Sequence, residues 1–240
     1  MISKSELLRL RAMSQCENRL RAEGFTKIAG IDEAGRGPLA GPVVAACCLL
    51  PLGALFEHLN DSKQLTEEMR ENLFSKITAY PGLEYGIGVV DVKTIDRINI
   101  LQATLLAMQE AVRAMKVVPD YLLIDGNQIP HFDISSESVV AGDTRSISIA
   151  AASILAKVTR DRMMVVLSQK HPGYGFHQHK GYGTEMHLQA IQTLGPCPIH
   201  RKSFDPIKSI FKQEKKEKGE KIDGRAAPLT LRPRTPSGPI

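Results

Sequence analysis

The stretch Ile28-Ala29-Gly30-Ile31-Asp32-Glu33-Ala34-Gly35-Arg36-Gly37-Pro38 decides the fold. Its first half is apolar and strand-forming. It then runs into two adjacent carboxylates, Asp32 and Glu33, and into a turn in which glycines flank Arg36. Successive strand side chains point to opposite faces, so in a sheet covered on both sides at least one of these charges is buried and needs compensation. A divalent cation is the usual partner of such carboxylates. In Gly35-Arg36-Gly37 no side-chain bulk flanks the arginine, so backbone N–H groups can come close to a phosphate or a sugar. Read alone, the stretch also fits a strand end with a solvated Asp-Glu pair and an ordinary glycine turn.

Working outward, Pro42–Leu50 is a second apolar strand, and the short Gly37-Pro38…Gly41-Pro42 connection makes it an antiparallel partner of Ile28–Glu33. Upstream, residues 4–22 read as one basic amphipathic helix. Downstream, Leu65, Met69, Leu73 and Ile77 recur at helical spacing before Pro81-Gly82. Leu83–Val90 is a third strand. Ile98, Leu101, Leu105, Met108, Val112 and Met115 form one apolar helical stripe. Tyr121-Leu122-Leu123-Ile124-Asp125 is apolar throughout until its last residue, as a buried parallel strand would be. Ser138–Ala141 is a short fifth strand ahead of Gly142-Asp143. Ile147 to about Gln169 is helical, with the small-residue run Ala150–Ala156 suited to close packing. Residues 171–183 form a Gly/His/Tyr-rich loop, followed by a helix over 184–194 and a short Ser203–Phe211 segment.

The 240 residues fit one large domain or two small ones, and 42% hydrophobic content is enough for a substantial core. No run of about 18 apolar residues exists to span a membrane. The charged segment Met1–Arg21 is not a signal peptide. Cys16, Cys47, Cys48 and Cys197 lack paired spacing and read as free thiols of a reducing cytoplasm. The net charge of +5 is uneven. From Lys212 onward eight basic residues face four acidic ones, which leaves about +1 for the body. The tail 212–240 has the composition of a disordered segment, so a catalytic domain is expected over 1–211. The basic pI alone does not make the body a nucleic-acid binder.

If the strands ending in Asp32 and Asp125 are parallel neighbours, about 4.8 Å apart, the two carboxylates sit side by side at the edge where open α/β sheets bind ligands. Asp143 ends the next strand in this reading. Three or four such oxygens suit Mg²⁺ or Mn²⁺, whereas zinc would want His or Cys. Two ions about 3.5–4 Å apart would clamp the attacking and leaving oxygens of a phosphodiester.

At this point the chain resembles bacterial ribonuclease HII, the type 2 ribonuclease H. The resemblance rests on Gly30–Pro38, Asp61-Ser62-Lys63-Gln64-Leu65, Leu123-Ile124-Asp125-Gly126-Asn127, Gly142-Asp143, Ala150–Asp161 and His179-Lys180-Gly181-Tyr182-Gly183-Thr184. It implies an α/β ribonuclease H-like fold, a five-stranded mixed sheet flanked by helices, with a helical C-terminal extension. It also implies hydrolysis of the RNA strand of RNA–DNA hybrids and a cut on the 5′ side of ribonucleotides embedded in duplex DNA, leaving 3′-hydroxyl and 5′-phosphate ends. Asp32, Glu33, Asp125 and Asp143 match the family's metal-binding, catalytic carboxylates. Gly35, Arg36 and Gly37 match the element that senses the ribose 2′-OH, the group that tells RNA from DNA. Tyr182 matches the tyrosine that stacks on the next deoxyribose.

Lys63 and Lys180 are candidate phosphate contacts. Ser153 reads as a packing residue. His177 and His179 have zinc-like spacing without a conveniently placed third ligand. The implied partners are nucleic acids, with no membrane, a monomeric state, and a replication or repair protein as a candidate partner of the tail. A second class stays open: a non-catalytic RNA–DNA hybrid-binding module. Four intact acids argue against it, because a binder gains nothing from carboxylates beside phosphates.

Overall fold

A computed structural model describes residues 2–213. The tail expected from Lys212 onward lies, from residue 214, outside the described residues. Helices α1 (Lys4–Met13) and α2 (Gln15–Ala22) come first, then strands β1 (Ile28–Ala34) and β2 (Val43–Leu49), and then helix α3 (Glu67–Thr78). Strand β3 (Glu84–Val90), helix α4 (Val92–Arg113), strands β4 (Tyr121–Asp125) and β5 (Ser135–Val139), and helix α5 (Ile147–Lys170) follow. A single turn α6 (Phe176–His179) and helix α7 (Glu185–Leu194) complete the order, with residues 207–213 helical at the end.

The sheet order is β3-β2-β1-β4-β5. β1, β2 and β3 form an antiparallel meander, while β4 lies parallel to β1 and β5 parallel to β4. The register sets Ile31 against Ile124, so Asp32 and Asp125 emerge as neighbours one residue later. The five-stranded mixed sheet expected from the resemblance is therefore present.

Strand alternation divides the core into two layers. Ala29, Ile31, Cys47, Leu122 and Ile124 face α4. Ala46 and Cys48 face α5 and α3. The small-residue start of α5 lets it lie directly on β1, where a β-carbon on Gly30 would stand 2.2 Å from the backbone of Ser148 and Ile149. Asp32 shares its side of the strand with Gly30, so it points into the α5 layer at the point where that layer opens.

Several boundaries depart from the sequence reading. The 4–22 helix breaks at Ser14, whose hydroxyl bonds back to the Leu10 carbonyl at 2.9 Å. The 98–115 helix begins earlier, at Val92, and is interrupted at Asn99 (φ 68°), whose side chain accepts from the Gln102 amide at 3.1 Å and starts the helix afresh. The fifth strand is Ser135–Val139, not Ser138–Ala141. Val140 and Ala141 continue the apolar run, but Ala141 adopts a left-handed φ of 53° and turns the chain into the 3₁₀ turn Gly142–Thr144. Asp143 thus sits in that turn rather than at a strand end.

Candidate active site

The carboxyl ends of β1 and β4 open into a cleft of about 300 Å³. Asp32, Glu33 and Asp125 line it, as do Gly35, Arg36 and Gly37, Ser62 and Lys63 from the turn before α3, Ser153 and Lys157 from α5, and Tyr182. Two hydrogen bonds fix the aspartates. The Glu33 amide donates to Asp32 Oδ1 at 2.7 Å, and the Gly142 amide donates to Asp125 Oδ1 at 2.7 Å. Asp32, Asp125 and Asp143 each offer a carboxylate oxygen, and these oxygens all lie within 4.8 Å of one another.

Crowding and burial make Asp32, Glu33 and Asp143 reluctant to ionise. Burial raises Asp32 well above the usual carboxylate range, and the charges of Glu33 and Asp125 raise it further, while a hydrogen bond from Ser153 works the other way. Burial also raises Glu33, opposed by the Arg36 guanidinium 3.1 Å away. Burial, with the charges of Asp61 and Asp125, lifts Asp143 to about 6. Lys63 answers this negative field. Burial disfavours its ammonium, but the charges of Asp61, Asp32, Asp143 and Asp125 outweigh that and hold it above its ordinary value. Its Nζ lies 3.7 Å from both Asp61 and Asp143.

A hard divalent cation fits this donor set. The donors are three converging carboxylates, with Glu33 at the rim, and no sulfur or imidazole intervenes. Among the described residues this is the one cluster of His, Cys, Asp and Glu side chains close enough to hold an ion, and His177 and His179 are not part of it.

The opposite wall carries Tyr182, 43% exposed, with Lys157 Nζ 5.9 Å from its ring centroid and 2.7 Å from Asp161 Oδ1. Lys180 does not join the cleft. Only 7% exposed, its ammonium donates to the His177 carbonyl and approaches Glu67 at 3.4 Å. The side chain expected to contact phosphate is thus turned inward here, toward Glu67 at the start of α3 and the His177 carbonyl.

Ser153 does more than pack. It shares a buried 2.9 Å hydrogen bond with Ser62 and also bonds Asp32, so it ties α5, the Ser62–Gln64 turn and β1 together at the cleft floor. The sequence reading missed Arg201 altogether and offered Arg160 only as a residue of a helix that reaches toward the hybrid or covers the sheet, not as part of the site's support. Both are fully buried under the Gly35–Pro42 segment. A guanidinium that bonds carbonyls more than a hundred residues away leaves no local pattern.

Acidic side chains converging at the carboxyl ends of two parallel strands, beside an antiparallel meander, place the chain in the class of ribonuclease H-like nucleases. Comparison with known proteins narrows the class. Residues 29–207 match the family model for Ribonuclease HII. The chain is 50% identical over 208 residues to the ribonuclease HII of Chlamydia pneumoniae, covering 87% of this chain and 97% of the relative. It is 56% identical over 198 residues to that of Geobacter metallireducens, covering 82% and 92%. Its structure is similar to the ribonuclease H2 of Pyrococcus horikoshii, with a TM-score of 0.64 and 27% identity over 79% of this chain and 99% of that one. The chain belongs to the ribonuclease HII family, and it is an endoribonuclease that acts on RNA–DNA hybrids.

Proposed function

We propose that this chain cuts duplex DNA on the 5′ side of embedded ribonucleotides, in addition to the RNA strand of longer hybrids, and leaves 3′-hydroxyl and 5′-phosphate ends. One observation carries the reading: Gly35, Arg36, Gly37 and Tyr182 line the same cleft as Asp32, Glu33 and Asp125. The 2′-OH is the one group that marks the target sugar, and close backbone approach is the way to sense so small a group. An aromatic ring opposite the turn provides a stacking surface for the following deoxyribose.

Asp32, Asp125 and Asp143 would hold the divalent cation, with Glu33 completing a second position. Mg²⁺ or Mn²⁺, if held by these residues, would supply a water of lowered pKa and charge stabilisation for the leaving 3′-oxygen. The residues around them do the rest. Ser153 and the Glu33 amide orient Asp32, the Gly142 amide orients Asp125, and Arg36 restrains Glu33. Lys63, 76% exposed, is free to exchange its carboxylate neighbours for a phosphate. The fit of these acids to a cation favours catalysis over the hybrid-binding module.

Among the described residues no helix is long and apolar enough to cross a membrane, and all four cysteines are free. The free thiols fit a reducing compartment; action as a monomer in the cytoplasm, with the tail as a contact for a replication or repair protein, is part of the same proposal. The test is cleavage of an end-labelled duplex carrying one ribonucleotide, with and without Mg²⁺ or Mn²⁺. A metal-dependent cut 5′ of the ribonucleotide with a 3′-hydroxyl end is expected. Equal cutting of an all-DNA duplex would overturn the specificity, and binding without cutting would favour the module.

A further inference from the structure

Arg160 on α5 and Arg201 after α7 are each 0% exposed, and neither forms a salt bridge among the described residues. Their donors go to main-chain carbonyls. Arg201 Nε donates to Gly41 O at 3.0 Å, Nη1 to Arg36 O at 2.9 Å, and Nη2 to Gly35 O and to Gly41 O at 2.9 Å. Arg160 Nε donates to Pro42 O at 2.9 Å, Nη1 to Lys180 O at 3.0 Å and Nη2 to Ala40 O at 3.0 Å. Burial pulls both guanidiniums below the usual arginine range, Arg201 to about 9, which leaves it charged at neutral pH. Two buried cations without carboxylates are a poor way to gain stability, since well-packed apolar side chains would serve better.

Their geometry has a consequence for recognition. In a trans peptide the C=O and the N–H of the same unit point in opposite directions. Arg201 holds the Gly35 and Arg36 carbonyls inward, so the N–H groups of Arg36 and Gly37 turn outward. Both residues are exposed, both line the cleft, and neither N–H has a partner among the described residues. Arg160 fixes the other wall. It holds the carbonyl of Lys180, two residues before Tyr182, and it lies against Gly35, where a β-carbon would stand 2.0 Å from its Nε.

We propose that Arg160 and Arg201 are positioning residues that set ribonucleotide specificity: they lock the spacing between the outward amides of Arg36 and Gly37 and the ring of Tyr182, so that a 2′-OH is tested on one sugar and its absence on the next. This rests on the reading above that the cleft engages ribonucleotide-containing duplex. Lysine keeps the charge at either position but cannot reach the same set of carbonyls.

The test measures the affinity of Arg160→Lys and Arg201→Lys, in an Asp125→Asn background that stops cutting, for a duplex with one ribonucleotide and for the matched all-DNA duplex. Mn²⁺ binding is measured for each Lys variant with Asp125 intact. The expected result is unchanged all-DNA affinity and Mn²⁺ binding, with the ribonucleotide preference reduced about tenfold, the size of one lost charge-assisted hydrogen bond. Folded variants that keep the preference overturn the proposal. A wild-type measurement covers variants that fail to fold: the Arg201 Nε–H resonance is expected to shift with the ribonucleotide duplex and not with all-DNA, and a resonance that stays put also overturns it. The failure of the underlying reading looks different. In that case the background protein itself shows no preference, and the Arg36 and Gly37 amides respond alike to both duplexes.

Discussion

Asp125 and Gly142 are joined by a 2.7 Å hydrogen bond from the glycine amide to Oδ1, which couples the end of β4 to the turn that carries Asp143. The fit there is tight. A β-carbon on Gly142 would stand 2.6 Å from Ile149 Cδ1 and 3.2 Å from Asp125 Oδ1. Gly142→Ala should therefore displace two of the three converging carboxylates at once. We expect Mn²⁺ affinity to fall about tenfold or more, with circular dichroism unchanged, because misplaced ligands and their supporting contacts cost that much in metal sites. Titration calorimetry reads the outcome.

Divalent affinity should be steeply pH-dependent. Asp143 is held at about 6 by burial and by its acidic neighbours, and Asp32 and Glu33 are raised as well. Below about pH 6 protons compete with the cation. Mn²⁺ binding should weaken from pH 7.5 to 5.5, and the release of protons on binding should be visible as a buffer-dependent heat. Lys63→Met removes an opposing charge 3.7 Å from Asp143, so it should shift that weakening to higher pH.

The same carboxylates set a sign for stability. A group whose folded pKa is raised binds protons more tightly in the folded state. Its contribution is fully present at low pH and is lost as the pH rises through the folded value, here about 6 for Asp143. Without divalent ions, Asp143→Asn should thus be more stable than the wild type at pH 7.5, by on the order of 1 kcal/mol, and no more stable at pH 4. Chemical denaturation at the two pH values checks this.

A histidine pair behind Tyr182 should act in the opposite sense. The Cys197 amide donates to His200 Nδ1 at 2.8 Å, so His200 Nε2–H donates to His187 Nε2 at 3.0 Å, and His187 Nδ1–H donates to the Tyr182 carbonyl at 2.8 Å. The chain works with both rings neutral, and burial holds each at about 4. A lowered folded pKa gives stability that is present above about 6.5 and lost as the pH falls toward 4. His200→Phe should flatten the loss between pH 6.5 and 4.5, measured by thermal unfolding, while lowering stability at pH 7.5.

Much of this architecture was legible in the sequence. The apolar Tyr121–Ile124 run ending in Asp125 reads as a buried parallel strand, and the β1–β4 pairing follows from it. The β1–β2 hairpin followed from the short, glycine-rich Gly35–Pro42 connection. Other features were not legible because distant contacts decide them. Val140 and Ala141 look like strand, yet the Gly142 amide is held by Asp125 and the chain turns early. Lys180 looks like a phosphate ligand beside Tyr182, yet Glu67 and the His177 carbonyl claim it. Arg160 and Arg201 carry no pattern at all, since their partners lie 118 to 120 and 159 to 166 residues away, apart from the Lys180 carbonyl, 20 residues away.

The central claim is that Asp32, Asp125 and Asp143 gather the divalent cation on which strand cutting depends. The most direct measurement is a Mn²⁺ titration followed by electron paramagnetic resonance, run beside single-turnover cutting of a duplex with one ribonucleotide, for the wild type and Asp125→Asn. The account predicts that bound Mn²⁺ and cutting rise together in the wild type and that both are lost in the variant. Near-normal cutting by Asp125→Asn, or Mn²⁺ bound at wild-type affinity by it, would contradict the account.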